Sequence, residues 1–219
     1  AILNASLIVK SPGIPEKAPV VKAIRAKGIE LISEIEWGFR FKGESRIIAI
    51  TGSNGKSTTT SLTWHILKES GLDVAMVGNI GYSFARQLAE DPKAWYVAEI
   101  SSFQLDDIIT FKPDIAMILN ITPDHLDRYN YEFDNYVASK FRITENQDKE
   151  DIVILNRDDE ASRKYLEQHT INPRIIYITM SDAHNNSGDG GYMQNEDMHI
   201  KWNGDDMKVS IHDMTLDGK

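Results

Sequence analysis

The stretch IIAITGSNGKSTT, residues 47–59, determines the predicted fold class. Its opening run, Ile47–Thr51, is apolar and rich in β-branched side chains, which favours a buried strand. A glycine-bearing turn follows at Gly52–Gly55, and a helical pattern begins near Lys56. A strand, a glycine turn and a helix in this order predict a βα unit of an α/β domain.

The turn predicts a phosphate-binding loop. It contains Gly52, Ser53, Asn54, Gly55, Lys56, Ser57, Thr58 and Thr59. Glycines let backbone N–H groups point at phosphate oxygens, Lys56 would reach the outer phosphates, and the Ser57 hydroxyl would hold Mg²⁺. The general pattern G-x-x-x-x-G-K-[ST] needs glycine where this chain has Ile50, so the loop is the shorter G-x-x-G-K-S. ATP or GTP binding is predicted, and a simple glycine turn with a surface lysine is the alternative.

On both sides of this unit, short β-rich runs alternate with longer helical patterns. Strands are predicted at Ile47–Thr51, Asp73–Val77, Trp95–Ile100, Ile115–Asn120, Ile152–Leu155 and Arg174–Ile178, and helices are predicted to begin near Lys56, Tyr82, Glu132 and Asp158. This alternation predicts an α/β fold with a mostly parallel sheet and helices on both faces.

The two ends of the chain differ from this middle part. Near the C-terminus, MHIKW and MKVSIHD flank Asn203-Gly204, which predicts a small β-hairpin with a tight turn. The preceding polar, glycine-rich run Ser181–Asp197 is predicted to be an exposed loop. At the N-terminus, a strand at Leu7–Lys10 and a helix at about Val20–Lys27 predict the tail of another α/β unit, and the composition changes near Arg40–Ser45.

Composition and charge exclude several kinds of function. The net charge is −9, with 24 Lys and Arg against 33 Asp and Glu, which argues against a nucleic-acid-binding surface. The chain has no cysteine, so disulfides, cysteine-bound zinc and thiol catalysis are excluded. It has no apolar stretch near the roughly 20 residues that span a bilayer and no signal-peptide pattern, so a cytoplasmic location without membrane insertion is predicted.

Acidic and basic side chains follow the predicted strands at positions that favour a nucleotide site. Glu99 ends a strand, and ligands of open α/β sheets bind at the carboxyl ends of strands, where a carboxylate suits Mg²⁺. His125 follows the next strand, and Lys140 lies in the helical stretch Tyr136–Ile143. From the residues alone, alternatives stay open: an ordinary strand-end acid, a structural histidine and a solvated lysine.

Four phrases in order resemble one family. They are TGSNGKSTT (51–59), GNIG (78–81), EISSFQLD (99–106) and NITPDHLDRY (120–129), and together they resemble the central domain of Mur ligases, the peptide ligases of bacterial cell-wall synthesis. SPGIP (11–15) and MTLDGK (214–219) also fit. The phrase SSFQL (101–105) is similar to the branch that adds D-glutamate.

The resemblance implies a three-domain protein of which this chain is a fragment. Residues 1–42 would be the tail of the N-terminal Rossmann-like domain that binds the UDP-substrate. Residues 43–219 would be the central P-loop NTPase-like domain that binds ATP. The C-terminal domain that brings the amino acid would be absent, so the fragment is expected to bind ATP and Mg²⁺ without turnover.

The reaction implied by the resemblance is ATP-dependent amide-bond formation in peptidoglycan biosynthesis. ATP would phosphorylate the carboxylate of UDP-N-acetylmuramoyl-L-alanine, and the amine of D-glutamate would attack the acyl phosphate. The expected partners are these three small molecules, and the protein is expected to be a monomer.

The resemblance also implies a role for individual residues. Lys56 and the loop amides would cradle the phosphates, Ser57 and Glu99 would hold one Mg²⁺, and His125 and Lys140 would serve a second. Lys140 matches a lysine that the family carbamylates, which turns a cation into a carboxylate. Asn79, Ser101, Gln104 and His125 would contact the muramoyl-alanine part, and Ser11 would lie near the diphosphate.

Three alternatives stay open. Another Mur-family ligase or folylpolyglutamate synthase would share the loop but carry other residues at 101–105. A general P-loop phosphotransferase would normally keep the longer glycine loop. A non-catalytic nucleotide-binding module is the third alternative.

Overall fold

The computed structural model describes residues 2–180 and 188–213. Two stretches discussed above therefore lie outside the described residues: 181–187, at the start of the predicted loop, and MTLDGK at 214–219. In the described part, the strands form one nine-stranded sheet and one separate two-stranded sheet.

The elements alternate along the chain as predicted. The strands are β1 (Leu7–Lys10), β2 (Glu30–Ser33), β3 (Arg46–Thr51), β4 (Val74–Gly78), β5 (Trp95–Glu99), β6 (Ile115–Ile118), β7 (Ile152–Asn156), β8 (Arg174–Thr179), β9 (Gly190–Gln194), β10 (Asp197–Trp202) and β11 (Asp205–Ser210). The helices are α1 (Pro19–Ala26), α2 (Glu34–Phe39), α3 (Lys56–Glu69), α4 (Phe84–Glu90), α5 (Ser102–Leu105), α6 (Phe133–Phe141) and α7 (Glu160–Gln168). Short 3₁₀ turns lie at Ile2–Asn4, Leu126–Arg128, Arg142–Thr144 and Ile211–Asp213.

The large sheet confirms the predicted α/β class. Its strand order is β11-β10-β9-β8-β7-β6-β3-β5-β4. The pairs that link the strands from β4 to β9 are parallel, and β10 pairs antiparallel with both β9 and β11. After β3 the chain builds β4 and β5 on one side and β6 on the other, so the loop that follows β3 lies at the point where the strand order reverses. Ligands of open α/β sheets bind at such a point.

Helices cover both faces of the sheet, but unevenly. On one face, α4, α5, α6 and α7 pack over the larger core, with Phe84, Tyr96 and Phe111 almost fully buried. On the other face, α3 packs Trp64 and Leu67 against a smaller cluster on the central strands. Burial on both faces explains why these parallel strands consist of continuous apolar runs. None of the helices in the described part of the chain has the length and apolar character that crossing a bilayer requires.

The predicted strands β3 to β8 are confirmed, with ends that shift by one or two residues. The C-terminal hairpin is also confirmed, and Asn203 (φ 52°) and Gly204 (φ 93°) form its turn in the left-handed region.

The loop predicted at Ser181–Asp197 is wrong in its second half, because Gly190–Gln194 forms strand β9. This strand pairs with β8 in parallel and with β10 antiparallel, and Tyr192 packs against the His199 ring at a centroid distance of 4.8 Å. Its glycines hide the alternation that identifies a strand, so pairing with both neighbours specifies it instead.

The N-terminal residues form a small βαβ unit of their own. β1 and β2 pair in parallel, and α1 packs Val21 and Ile24 against Leu31. Helix α2 then places Ile35 in the core of the large sheet. Sequence patterns did not predict β2 or α2, and the six residues of α2 are fewer than the window in which helical periodicity can be recognised.

Candidate active site

The carboxyl ends of three neighbouring strands meet at one edge of the sheet. Ile50 in β3 lies opposite Glu99 in β5, and Thr51 lies opposite Ile118 in β6. The loops that leave these strands are therefore adjacent. The glycine loop, Glu99 and the segment carrying His125 all belong to this edge, as the predicted site requires.

The neighbouring loop holds the glycine loop in shape. The backbone N–H of Ser53 donates to the Asn120 carbonyl at 2.8 Å, and the N–H of Asn54 donates to the Asn120 side chain at 2.9 Å. Gly55 adopts φ 82°, which glycine reaches without steric cost, and helix α3 begins at the next residue, Lys56. The backbone of the loop is thus positioned before any phosphate arrives.

Two lysines donate to the same carbonyl of this loop. Lys56 Nζ lies 3.0 Å from the Gly52 oxygen and 3.0 Å from the Ser53 oxygen. Lys140 Nζ reaches the same Gly52 oxygen at 2.7 Å from α6, 88 residues further along the chain. Lys140 is 1% exposed, which excludes the alternative that it is an ordinary solvated lysine.

Burial changes the protonation of Lys140. Burial, and next the charge of nearby Lys56, lower the pKa of the Lys140 ammonium to about 7. A substantial share of the side chain is therefore a neutral amine near neutral pH, and a neutral amine is nucleophilic.

Tyr136 supports Lys140 from one helical turn earlier in α6. The Lys140 Nζ lies 4.6 Å from the centre of the Tyr136 ring, and the Tyr136 hydroxyl lies 3.3 Å from the Ser53 hydroxyl. Residues four apart share one face of a helix, so this spacing was visible in the sequence, although the sequence analysis gave Tyr136 no role.

Glu99 carries a buried carboxylate oxygen without a hydrogen-bond partner. Its side chain is almost fully buried; Oε1 accepts from the Asn79 amide at 2.8 Å, and Oε2 has no partner. A buried, unpaired charged oxygen is costly, and a cation would satisfy it. The backbone approaches closely here, since a Cβ added to Gly78 would lie 2.3 Å from the Glu99 carbonyl oxygen.

A divalent cation at this edge would need ligands beyond the protein. Among the described residues, no group of three or more histidine, aspartate and glutamate side chains converges. Magnesium commonly takes one or two carboxylates together with phosphate oxygens and water, so Glu99 and a bound nucleotide together fit it. Ser57, in the first turn of α3, is exposed on this edge, as is Thr58.

His125 lies on the loop after β6 in an uncommon backbone conformation. Its φ is 50°, in the left-handed region, and its ring is 58% exposed. The ring lies 5.3 Å from that of Phe103, and its Nε2 lies 3.5 Å from an Asp124 carboxylate oxygen. The fold thus holds His125 beside α5, where it can meet a ligand.

Most of the residues predicted to contact the muramoyl-alanine part or the diphosphate share one cleft. A cleft of about 400 Å³ lies between the small sheet and the large one, and its lining includes Ser11, Asn79 and Gln104. No residue of the glycine loop belongs to this lining. The cleft is connected to Glu99 through Asn79, whose side-chain amide donates to the Glu99 carboxylate.

Ser101 has a local structural role. Its backbone N–H and its hydroxyl both lie 3.0 Å from the Gln104 side-chain oxygen, and its hydroxyl accepts from the Gln104 N–H at 3.4 Å. The two residues form a capping box at the start of α5. The Ser-x-x-Gln spacing is the sequence signal of such a box, and the sequence analysis missed it.

A second, more voluminous cleft does not contain the predicted catalytic residues. It measures about 840 Å³ and lies between α6 and α7, where Thr122, Phe133 and Tyr165 belong to its lining. Neither Lys56 nor Glu99 lines it, and it meets the glycine loop at Thr122, whose carbonyl accepts from the Ser53 hydroxyl at 2.9 Å. Converging polar groups therefore identify the candidate site better than volume does.

Comparisons with known proteins agree with this geometry. The family profile described as Mur ligase middle domain matches residues 50–217. The chain is 54% identical over 184 residues to a UDP-N-acetylmuramoylalanine–D-glutamate ligase of Cytophaga hutchinsonii, covering 84% of this chain and 41% of that protein. It is 45% identical to the protein of the same name in Christiangramia forsetii, covering 100% of this chain and 48% of that protein. The chain spans about half the length of the curated relatives it matches.

Solved structures share the fold at low sequence identity. A UDP-N-acetylmuramate:L-alanyl-gamma-D-glutamyl-meso-diaminopimelate ligase from Neisseria meningitides aligns with a TM-score of 0.61 and 18% identity, covering 94% of this chain and 68% of that one. A MurF ligase from Thermotoga maritima, solved in complex with ADP, aligns with a TM-score of 0.54 and 15% identity, covering 95% and 59%.

Proposed function

This chain belongs to the Mur ligase family, and we propose that it is the ATP-binding part of an enzyme that joins D-glutamate to UDP-N-acetylmuramoyl-L-alanine. The main observation behind this proposal is that Lys56 and the buried Lys140 both donate a hydrogen bond to the Gly52 carbonyl, at the carboxyl edge of the sheet. The choice of D-glutamate rests on the relatives at 45–54% identity, whose name specifies that amino acid.

The first step would be transfer of the γ-phosphate of ATP to the substrate carboxylate. The amides of residues 52–59 and the Lys56 ammonium would hold the phosphates, because that loop presents N–H groups and the start of α3. Ser57 and Glu99 would hold one Mg²⁺, which neutralises charge on the phosphates. The unpartnered oxygen of Glu99 supports this assignment.

Lys140 would serve a second Mg²⁺ as a carbamate, together with His125. The neutral amine would form a bond to the carbon of CO₂, a proton would leave to solvent, and the side chain would end in a carboxylate. The low pKa of the buried amine supports this chemistry. An ammonium beside a magnesium ion would repel it, whereas a carboxylate would bind it.

The second substrate would lie in the cleft that Ser11, Asn79 and Gln104 line. Asn79 donates to Glu99, so the cleft and the cation site share one side chain. Such an arrangement would bring the carboxylate of UDP-N-acetylmuramoyl-L-alanine towards the γ-phosphate, and correct positioning accounts for a large share of the rate. The amine of D-glutamate would then attack the acyl phosphate and release phosphate.

The other ligases of the family are the second candidate. Solved structures of such enzymes, and E. coli FolC, are 12–19% identical to this chain and therefore share its fold alone. The division at residue 42, the monomeric state and the cytoplasmic location stay predictions.

Amide synthesis tests the proposal directly. The full-length protein that contains this chain should convert UDP-N-acetylmuramoyl-L-alanine, ATP and D-glutamate into the ligated product, detected by mass spectrometry, and L-glutamate should not substitute. The 219-residue chain alone should form no product, because it spans only about half the length of the relatives it matches. Absence of D-glutamate-dependent product from the full-length protein would refute the ligase proposal. D-glutamate-dependent ATP hydrolysis by the 219-residue chain would refute the expectation that this chain cannot catalyse the reaction alone.

Glu99→Gln should weaken the Mg²⁺-dependent part of nucleotide binding by about 10- to 100-fold, because one anionic ligand is lost. The substitution keeps the shape of the side chain and an oxygen for Asn79. Calorimetric titration of the chain with a non-hydrolysable ATP analogue at several Mg²⁺ concentrations measures the effect. Glu90→Gln, on the exposed side of α4, is the matched control. Unchanged Mg²⁺ dependence in the Glu99 variant would remove Glu99 from the cation site.

A further inference from the structure

Arg128 joins two parts of the chain that belong to different sheets. Its guanidinium donates to the Pro12 carbonyl at 3.2 Å and to the Gly13 carbonyl at 3.1 Å. These carbonyls lie in the loop after β1, more than a hundred residues earlier. Arg128 itself ends the 3₁₀ turn that follows His125, whose carbonyl accepts from the Arg128 N–H at 3.0 Å.

The guanidinium also packs on an aromatic ring of α5. It lies 4.3 Å from the centre of the Phe103 ring, close enough for a cation–π interaction. Phe103 stacks on Tyr129 at a centroid distance of 6.1 Å and also contacts the His125 ring. The next residue, Gln104, lines the cleft between the sheets. Arg128 therefore touches both the loop of Ser11 and the helix of Gln104.

Among the strands that the structure describes, no pairing sets the distance between these two walls of the cleft, because β1 and β2 form a sheet of their own. A second connection lies elsewhere: the buried Asp107 carboxylate contacts Lys10 at 2.8 Å and Arg25 at 2.5 Å. Those ion pairs tie β1 and α1 to the large sheet without Arg128. Loss of the Arg128 contacts would then loosen the Ser11–Gly13 loop without detaching the unit.

From these contacts we infer that Arg128 is a positioning residue that holds the Ser11–Gly13 loop, and so one wall of the cleft, in place for the sugar-nucleotide substrate. The inference rests on the proposed function. It explains why position 128 is an arginine, since a planar guanidinium can donate to two adjacent carbonyls while its face packs on an aromatic ring. A lysine at this position could supply the charge but only a single point of donation.

Steady-state kinetics of the full-length enzyme tests the inference. Arg128→Ala and Arg128→Lys should both raise the KM for UDP-N-acetylmuramoyl-L-alanine by about tenfold or more, with the KM for ATP and kcat changed less than about threefold. Arg46→Lys is the matched control. Arg46 also lies over an aromatic ring, that of Trp95, but at the start of β3, away from the glycine loop that follows this strand. An equal rise in both KM values, or no rise in either, would overturn the inference.

A measurement without catalysis separates this inference from the ligase proposal. In the 219-residue chain, the Ile14 N–H donates to the Ser11 carbonyl at 3.0 Å, and the Ser33 N–H donates to the Asp107 carbonyl at 3.0 Å. Arg128→Ala should speed hydrogen exchange in the peptide containing residue 14 by about tenfold, while exchange at Ser33 stays unchanged. Equal protection at residue 14 in both proteins would overturn the inference even if the ligase proposal holds. If the wild-type enzyme were inactive but Arg128→Ala still changed the exchange as expected, the proposed ligase function would be refuted, and the contact made by Arg128 would stand.

Discussion

Lys56→Ala should weaken ATP binding by about 100-fold or more. Under the proposed function, the glycine loop would place the Lys56 ammonium next to the bound phosphates, and loss of one partner of such a charge pair costs about 3 kcal/mol. The Lys56 Nζ donates to the Gly52 and Ser53 carbonyls, so it lies within the loop. Calorimetry of the 219-residue chain with an ATP analogue and Mg²⁺ measures the loss.

The matched control for this variant is Lys68→Ala. Lys68 is an exposed lysine in the last turn of the same helix, α3, where it lies over the Trp64 ring. Its removal should leave nucleotide affinity within about twofold of wild type. If Lys56→Ala bound the nucleotide as tightly as Lys68→Ala does, the glycine turn would be only a connection between a strand and a helix.

Lys140→Ala should lower kcat of the full-length enzyme by about 1000-fold, because under the proposed function it would remove a ligand of the second cation and with it several kcal/mol of transition-state stabilisation. Short-chain carboxylic acids such as acetate should restore part of the activity by occupying the space of the carbamate. Since only a neutral amine adds CO₂, and the pKa of Lys140 is lowered to about 7, carbamate formation in the wild type should rise as the pH rises through this value.

Two controls make the rescue informative. Lys56→Ala should not respond to carboxylic acids, because an anion cannot replace a cation at the phosphates. Lys149→Ala, at an exposed lysine between α6 and β7, should behave as wild type. A folded Lys140→Ala enzyme that no carboxylic acid rescues would count against the carbamate, and Lys140 would then act as an amine that braces the Gly52 carbonyl.

The different surroundings of the two lysines explain why they are expected to do different chemistry. Lys56 is only partly buried, next to the loop mouth, whereas Lys140 is enclosed and lies over the Tyr136 ring. Two cations near one carbonyl destabilise each other, and the more buried one loses its proton more readily. Under the proposed function, Lys56 would bind phosphate, and the amine of Lys140 would be available for modification.

Local sequence patterns determined the fold class, the glycine loop and the hairpin turn. The run Ile47–Thr51 followed by the glycine turn describes a βα unit within thirteen residues, 47–59. Asn203-Gly204 specifies its turn because both residues tolerate positive φ. Each of these features depends on neighbours a few positions away, and side-chain periodicity and backbone preference report such short-range effects.

The site itself was predictable only in part. Glu99 and His125 were placed at strand ends, because the carboxyl ends of parallel strands share one edge. By contrast, nothing in a lysine within a helical stretch distinguishes a solvated side chain from Lys140, which is buried against a loop 88 residues away. The resemblance to a family, rather than the residues alone, singled it out.

What only the tertiary structure decided is how distant segments meet. Strand β9 exists because β8 and β10 supply partners on both sides, and Arg128 acquires a role because the loop after β1 lies within reach of its guanidinium. Such contacts depend on chain packing over long separations, and no local period records them. Sequence therefore determined which elements form, and packing determined which side chains share a site.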